Sequence, residues 1–351
     1  MQDQVTSETK RVAVAVDAMG GDLAPQAIVT GAVSAARLLP DVDIVLVGIE
    51  SAIQACLATL GVQPGNLRVQ HASQTIDMCE PPVAAIRQKR DSSISVGMRS
   101  VRDGQTQAFI SAGSSGAVMA GATLILKPQT GVDRPAIATP FPTRSGKRAI
   151  LLDAGATADC KPAHLVQFAR LGSAYACAVG DLPCPRVGLL SIGEEPSKGD
   201  ELTKETHQLL LTTQGINFVG NVEPKELVRG EVDVVVCDGF VGNLMLKAGE
   251  GIGELIMGLL KDEIAKSWVF RLAAALLRPA IYRVKACMDY AEYGGALLLG
   301  VNGVVVISHG RSSAQAIENA ICLAARAAQR SATSSPVSHC DERELLDSIS
   351  H

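Results

Sequence analysis

The chain has 351 residues, 47% of them hydrophobic and 19% charged, a globular composition that excludes a largely disordered protein. Thirty-two lysines and arginines against 36 aspartates and glutamates leave a net charge of −4, so no global basic field is present to hold a nucleic acid. Nine cysteines with no C-x-x-C pair or zinc-finger spacing suit a reducing compartment, and the cytoplasm is the expected location.

Residues 1–10 read as a frayed tail without the basic-then-apolar order of a secretory signal. A first strand, Val12–Val16, runs into Asp17-Ala18-Met19-Gly20-Gly21-Asp22, with Pro25 near the first turn of a helix. Asp17, Gly20 and Gly21 are candidate ligand contacts, although the same residues also suit a capped tight turn. After a strand at Ile44–Val47, the cations Arg87, Lys89, Arg90, Arg99 and Arg102 gather against Asp91 and Asp103. They suit an acidic partner or a solvated helix face. The strand Ala108–Ile110 precedes Ser111-Ala112-Gly113-Ser114-Ser115-Gly116. Glycines and serines ahead of a helix present N–H and hydroxyl donors, so Ser111, Gly113, Ser114, Ser115 and Gly116 either hold an anion such as phosphate or build a tight turn.

Farther along, the strand Ile150–Leu152 leads into Asp153-Ala154-Gly155, with Cys160-Lys161-Pro162 at the next helix start. Asp153 is a candidate substrate contact, and Lys161 there neutralises a phosphate or a developing oxyanion, or is simply solvated. Cys160 reads as a small buried cysteine, so no covalent intermediate is expected. Val187–Ile192 precedes GEEPSKGD and a capped helix over Thr203–Leu211, while Val232–Cys237 precedes Asp238-Gly239-Phe240-Val241-Gly242-Asn243. Asp238 is a candidate contact, and the Asn243 amide can donate to a carbonyl oxygen. From Ile252 to Lys285 the apolar spacing is helical, and Arg271, Arg278 and Lys285 recur every seven residues beside Trp268, Phe270, Leu272, Leu276 and Leu277. That pattern suits an anionic membrane surface, a core or a dimer interface. Val304–Ile307 precedes Ser308-His309-Gly310-Arg311, where His309 can exchange a proton near neutral pH and Arg311 can meet an anion. A capped helix follows over Ser312–Ala328, and Ser331–His351 is a polar tail.

Seven short apolar strands alternating with helical segments predict a doubly wound, mostly parallel sheet in three α/β/α layers. The expected organisation is one α/β unit over 11–330 with an amphipathic segment protruding at 252–287. The uncharged stretches 104–126 and 293–310 are broken by glycine and polar residues, which makes them strand and turn pieces rather than membrane spans. Ligands of such sheets bind beyond the carboxyl ends of the strands, where the candidate residues collect. No dinucleotide fingerprint, P-loop or paired metal ligands occur, so neither cofactor nor metal is expected.

The blocks VAVDAMGGD, PPVAAIRQKRDSS, SAGSSGA, LLDAGATADCKPAHLVQFA, VGLLSIGEEPSKGDELTKE, VDVVVCDGFVGN and YGGALLLGVNG with SHG follow one another from Val12 to Ala328. In this order they resemble the PlsX-type phosphate acyltransferases. The resemblance implies a fold like that of phosphotransacetylases and isocitrate dehydrogenases. It also implies transfer of a long-chain fatty acyl group from acyl carrier protein to inorganic phosphate, giving acyl phosphate for phospholipid synthesis. A homodimer bound peripherally to membrane is further implied, near the membrane acyl-phosphate:glycerol-3-phosphate acyltransferase. The family loop usually reads SAGNTGA, whereas Ser114 and Ser115 stand here at the Asn-Thr positions.

On this reading phosphate attacks the thioester directly, with positioning and charge stabilisation as the protein's contribution. The 111–116 loop and Lys161 hold phosphate, Asn243 or loop N–H groups stabilise the oxyanion, and His309 orients phosphate or protonates the thiolate. Arg87, Lys89, Arg90, Arg99 and Arg102 receive the acidic carrier. The nearest alternative is a phosphate acetyl- or butyryltransferase acting on coenzyme A thioesters. A dehydrogenase of the same architecture lacks its fingerprint here, and a membrane scaffold without turnover has no use for the polar strand-end loops.

Overall fold

The computed structural model describes residues 11–61, 63–180, 182–288 and 294–333. The expected tail at 1–10 lies outside the described residues, as does that at 331–351 apart from 331–333, which are helical. Where the sequence reads one unit over 11–330, the chain folds as two compact units: one runs to Leu126 and resumes over Gly303–Ala332, and the other occupies Lys127–Asn302. At the crossings the backbone takes a positive φ, 68° at Lys127 and 106° at Gly303.

In the first unit the strands β1 (Val12–Asp17), β2 (Val42–Gly48), β3 (Leu67–His71), β4 (Ala108–Ser111) and β11 (Val304–Ile307) are parallel, in the order β3-β2-β1-β4-β11. Val14, Val16, Ile44, Leu46, Phe109, Ile110 and Val306 are buried, as the continuous apolar runs require of strands covered on both faces. The helices α1 (Gln26–Leu38), α2 (Glu50–Leu60), α3 (Pro82–Gln88), α4 (Ser93–Arg102), α5 (Ser115–Gly121) and α11 (Ala314–Thr333) supply that cover. A π-helical turn at 122–126 extends α5. The chain leaves β1 toward β2 on one side and reaches β4 on the other, so the strand order reverses between β1 and β4. Their carboxyl ends therefore form the crevice at a topological switch point.

The second unit holds β5 (Ala136–Pro142), β6 (Arg148–Leu152), β7 (Arg186–Leu190), β8 (Asn217–Val222), β9 (Val234–Val236) and β10 (Ala296–Leu299), in the order β10-β5-β6-β9-β7-β8. β5 runs antiparallel to both neighbours, while β6, β9, β7 and β8 are parallel. On one face Leu152, Val187, Leu189, Val234 and Val236 pack with Leu165 and Phe168 of α6 (Pro162–Gly180) and Leu210 of α7 (Glu201–Leu211). On the other, Leu151, Val222 and Val235 pack with Leu227 of α8 (Pro224–Arg229). The period-2 alternation of these strands thus feeds two cores, giving three layers.

The helices α9 (Gly239–Ala265) and α10 (Trp268–Met288) pack on each other. The buried residues of α9 are Gly239 and Gly242 in its first turn. Trp268, Phe270, Leu272, Leu276 and Leu277 are exposed, with Trp268 at 71% and Leu276 at 78%. Arg271 and Arg278 are exposed too, and neither forms an ion pair among the described residues. No helix of the described residues is long and apolar enough to cross a membrane.

Candidate active site

Two clusters of strand-end loops carry the candidate residues, one in each unit. In the first unit Asp17 ends β1 and is buried, with Ser111 donating to Asp17 Oδ2 at 2.7 Å and the Met19 N–H donating to Oδ1 at 3.1 Å. Burial pushes the Asp17 carboxyl above its usual range, opposed by hydrogen bonds from Ser93, Ser111, Met19 and Gly20. The Ser111 hydroxyl accepts the Gly113 N–H at 3.0 Å, so one chain of bonds ties the Gly20 turn to the 111–116 loop. A Cβ on Gly20 would lie 2.5 Å from Asp17 Oδ2 and 2.7 Å from the Gly113 nitrogen. Gly21 has φ +105°, a conformation that side chains rarely adopt.

The β11 loop closes this cluster. Gly310 accepts the Asp22 N–H at 2.7 Å, Ser308 donates its N–H to the Ser111 carbonyl at 2.9 Å, and His309 Nδ1 accepts the Arg311 N–H at 3.1 Å. Arg311 is exposed and unpaired among the described residues, which makes it the cation this loop contributes. Ser114 caps α5 by accepting the Ala117 N–H at 3.3 Å. Ser115 is exposed, and its N–H and that of Gly116, both in the first turn of α5, have no acceptor among the described residues. Serine and asparagine cap helices about equally well, so Ser114 serves the local structure as the asparagine expected from the resemblance would.

In the second unit Asp153 is fully buried. Its Oδ1 accepts N–H groups of Ile137, Gly155 and Ala156 at 2.8, 3.1 and 2.9 Å, and Oδ2 accepts those of Ala156 and Thr157 at 3.0 and 2.7 Å. These bonds engage both carboxylate oxygens, so Asp153 organises its loop from behind. Asp17 stands behind its loop in the same way. Burial raises the Asp153 carboxyl, with the backbone hydrogen bonds opposing. Asp238 caps α9, accepting the Phe240 and Val241 N–H groups at 2.9 and 3.0 Å, a role that the strand-to-helix position signals. Gly239 and Gly242 let that first turn approach the Asp153 loop, since a Cβ on either would strike Asp153 itself. Asn243 is exposed and packs beside Gly155, 3.5 Å from where a Cβ would stand there.

Lys161 is exposed at the start of α6 and forms no ion pair among the described residues. Its backbone N–H donates to His164 Nδ1 at 3.1 Å. His164 is buried, and burial, followed by Arg134, lowers its pKa and favours the neutral imidazole that this cap requires. Sequence reasoning gave His164 no part; its signal is the i, i+3 spacing from a residue that precedes a helix. Cys160 is pushed up to about 12 by burial and by Asp153 and Asp238, and Cys237 is raised well above the usual thiol range by burial.

The five candidate docking cations divide. Lys89 is bound to Glu80 at 2.6 Å, Arg102 to Asp103 at 2.8 Å, and Arg99 donates to the Arg90 carbonyl at 2.6 Å. Arg87 and Arg90 are exposed and unpaired among the described residues.

The family model described as fatty acid synthesis protein matches residues 12–335. A phosphate acyltransferase of Pelotomaculum thermopropionicum is 49% identical over 311 residues, covering 89% of this chain and 90% of the relative. That of Myxococcus xanthus is 50% identical over 309 residues, covering 87% of each chain. Among solved structures, a phosphotransacetylase of Streptococcus pyogenes aligns with a TM-score of 0.59 at 17% identity, over 92% of this chain and 95% of that one. The EutD phosphotransacetylase of Staphylococcus aureus gives 0.58 at 16% identity, over 91% and 94%. These structures share the fold of this chain. Extended identity and the family match together place the chain in the phosphate acyltransferase family of fatty acid synthesis proteins, which makes it an enzyme of the transferase class that moves an acyl group to phosphate.

Proposed function

We propose that the chain transfers a long-chain fatty acyl group from acyl carrier protein to inorganic phosphate, releasing acyl phosphate for phospholipid synthesis. The observation that carries this reading is the preformed cradle in the first unit. There the Ser115 and Gly116 N–H groups and the Ser115 hydroxyl follow the end of β4, and the exposed Arg311 follows the end of the adjacent strand β11, a set of donors suited to a phosphate. A phosphate oxygen attacks the thioester carbonyl, the carbon–sulfur bond breaks, and the thiolate leaves with the electron pair. A thiol of pKa near 8.5 departs readily, so the step needs no enzyme nucleophile. The raised Cys160 and Cys237 thiols support that route, since a protonated thiol is a poor nucleophile.

We assign His309, which follows the end of β11 in this unit, to orienting phosphate or protonating the thiolate. In the second unit Lys161 and Asn243 are the exposed donors, and we assign them to stabilising negative charge. Arg87 and Arg90, with Arg99 and Arg102 near them, form the docking patch for the acidic carrier. The exposed α9 and α10 faces meet a second copy of the chain and an anionic membrane, where the acyl-phosphate-consuming acyltransferase resides.

A comparison of donors tests the proposal. The expected kcat/KM is higher for palmitoyl-acyl carrier protein than for palmitoyl- or butyryl-coenzyme A, and falls steeply with added salt as the arginines are screened. Equal or faster turnover of the coenzyme A thioesters, or a flat salt response, contradicts it.

A further inference from the structure

Lys89 stands among the arginines in sequence, yet its ammonium turns back onto its own chain. Its Nζ donates to the Thr75 carbonyl at 2.8 Å and to Glu80 Oε1 at 2.6 Å, and the same Glu80 oxygen accepts the Asp77 N–H at 2.7 Å. Upstream, Ser73 is bound to Asp91 Oδ2 through its N–H at 2.9 Å and its hydroxyl at 2.6 Å, and Gln74 bridges to Ser92. The irregular segment 72–81 is thus pinned at both ends, although it belongs to no helix or strand.

These bonds hold one large apolar side chain at the surface. Met78 is 51% exposed, and its Cε lies 3.0 Å from where a Cβ on Gly310 would stand. The methyl rests on the β11 loop, and Gly310 itself neighbours Ala112 at the start of the 111–116 loop. Pro82, at the other end of the segment, puts Cγ 2.7 Å from the corresponding point on Gly116, where that loop finishes. Met78 and Pro82 therefore touch both flanks of the phosphate cradle. Pro82 also lines a shallow groove of about 590 Å³ with Pro81, Val83, Ala84, Arg87 and Gln88. Arg87 also lines a second groove, of about 620 Å³, with Arg90, Arg99 and Arg102. The two grooves share Arg87, with prolines, Val83 and Ala84 lining the one next to the cradle and Arg90, Arg99 and Arg102 the other.

Phosphate alone gives no reason for a half-exposed methionine against its cradle. An acyl thioester attached to an acidic carrier matches both flanks, because its reacting carbonyl joins an apolar chain on one side to an arm and an anionic body on the other. Resting on the acyl-transfer reading above, we propose that segment 72–81 is the wall that receives the acyl chain of the thioester donor. Met78 is its contacting and specificity-determining side chain, and Lys89, through Glu80, is a positioning residue instead of a docking cation. Methionine suits this place because a flexible, polarisable side chain fits chains of different length and bend.

Steady-state kinetics on Met78→Ala, Met78→Leu and Lys89→Met test the wall, with donors of 8 to 16 acyl carbons and phosphate varied separately. Met78→Ala is expected to raise the donor KM about tenfold for the longer chains, the loss of one apolar contact, while the phosphate KM stays within twofold. Met78→Leu restores the donor KM to within about twofold. Lys89→Met raises the donor KM in the same direction, and the double variant Met78→Ala/Lys89→Met falls short of the product of the two effects, because both act through one wall. An unchanged donor KM in Met78→Ala, or a rise confined to the phosphate KM, overturns the proposal. Absence of acyl phosphate from the unaltered protein overturns the acyl-transfer reading beneath it, and the two failures are read from different samples.

Discussion

Gly20 has no room for a methyl group. A Cβ there meets the Asp17 carboxylate at 2.5 Å and the Gly113 nitrogen at 2.7 Å, both members of the bond chain that sets the 111–116 loop. Gly20→Ala is expected to cost about 1–3 kcal/mol, the range for overpacking a filled site, and to raise the phosphate KM as the loop shifts. Thermal unfolding and phosphate titration check this, and an unaltered melting temperature with an unaltered KM removes the loop from the account. The same scale explains Asp17 and Asp153, each buried behind a glycine loop and feeding on its N–H or hydroxyl donors. A carboxylate at a strand end reads in sequence as a ligand contact. Only the count of N–H groups converging on it shows that its acceptor capacity is already used.

Among the elements, α6 carries a pH response. The neutral His164 imidazole accepts the Lys161 N–H at the helix start, and its pKa is lowered from the usual 6.5. A lowered pKa means the folded state resists protonation. Its contribution is present above about pH 6.5 and is lost as pH falls through the folded value. Melting temperature measured from pH 8 to pH 5 is expected to fall in the acid range, and to fall less in His164→Gln, whose amide oxygen accepts the same bond without titrating. Parallel curves contradict the assignment.

Seven strands were legible because each is a short apolar run that leads into a glycine-containing loop. The other four were not, for reasons found in their residues. β5 contains Pro140 and Pro142, which demote a strand pattern, and it pairs antiparallel. β8 carries Gly220 at φ +104° beside a register shift in β7. β3 is largely polar, and β10 is too short and uniform to show a period. The loops of the candidate site were legible as strand ends. Lys89 was not, because charge spacing along a helix does not reveal that a side chain folds back onto an earlier segment.

For the whole molecule, the exposed α9 and α10 faces are too apolar for solvent alone, and their largest exposed side chains lie near Arg271 and Arg278. Reversing both charges to glutamate is expected to release the protein from vesicles containing anionic lipid while leaving turnover on soluble donor unchanged. Retained binding contradicts the membrane role. The central claim concerns the reaction itself, and one measurement addresses it most directly. Purified protein is mixed with palmitoyl-acyl carrier protein, with and without inorganic phosphate, while free carrier thiol is followed and acyl phosphate is detected by mass. The account predicts thiol release only with phosphate, matched one for one by acyl phosphate. Thiol released equally without phosphate, with free fatty acid as the product, would contradict it.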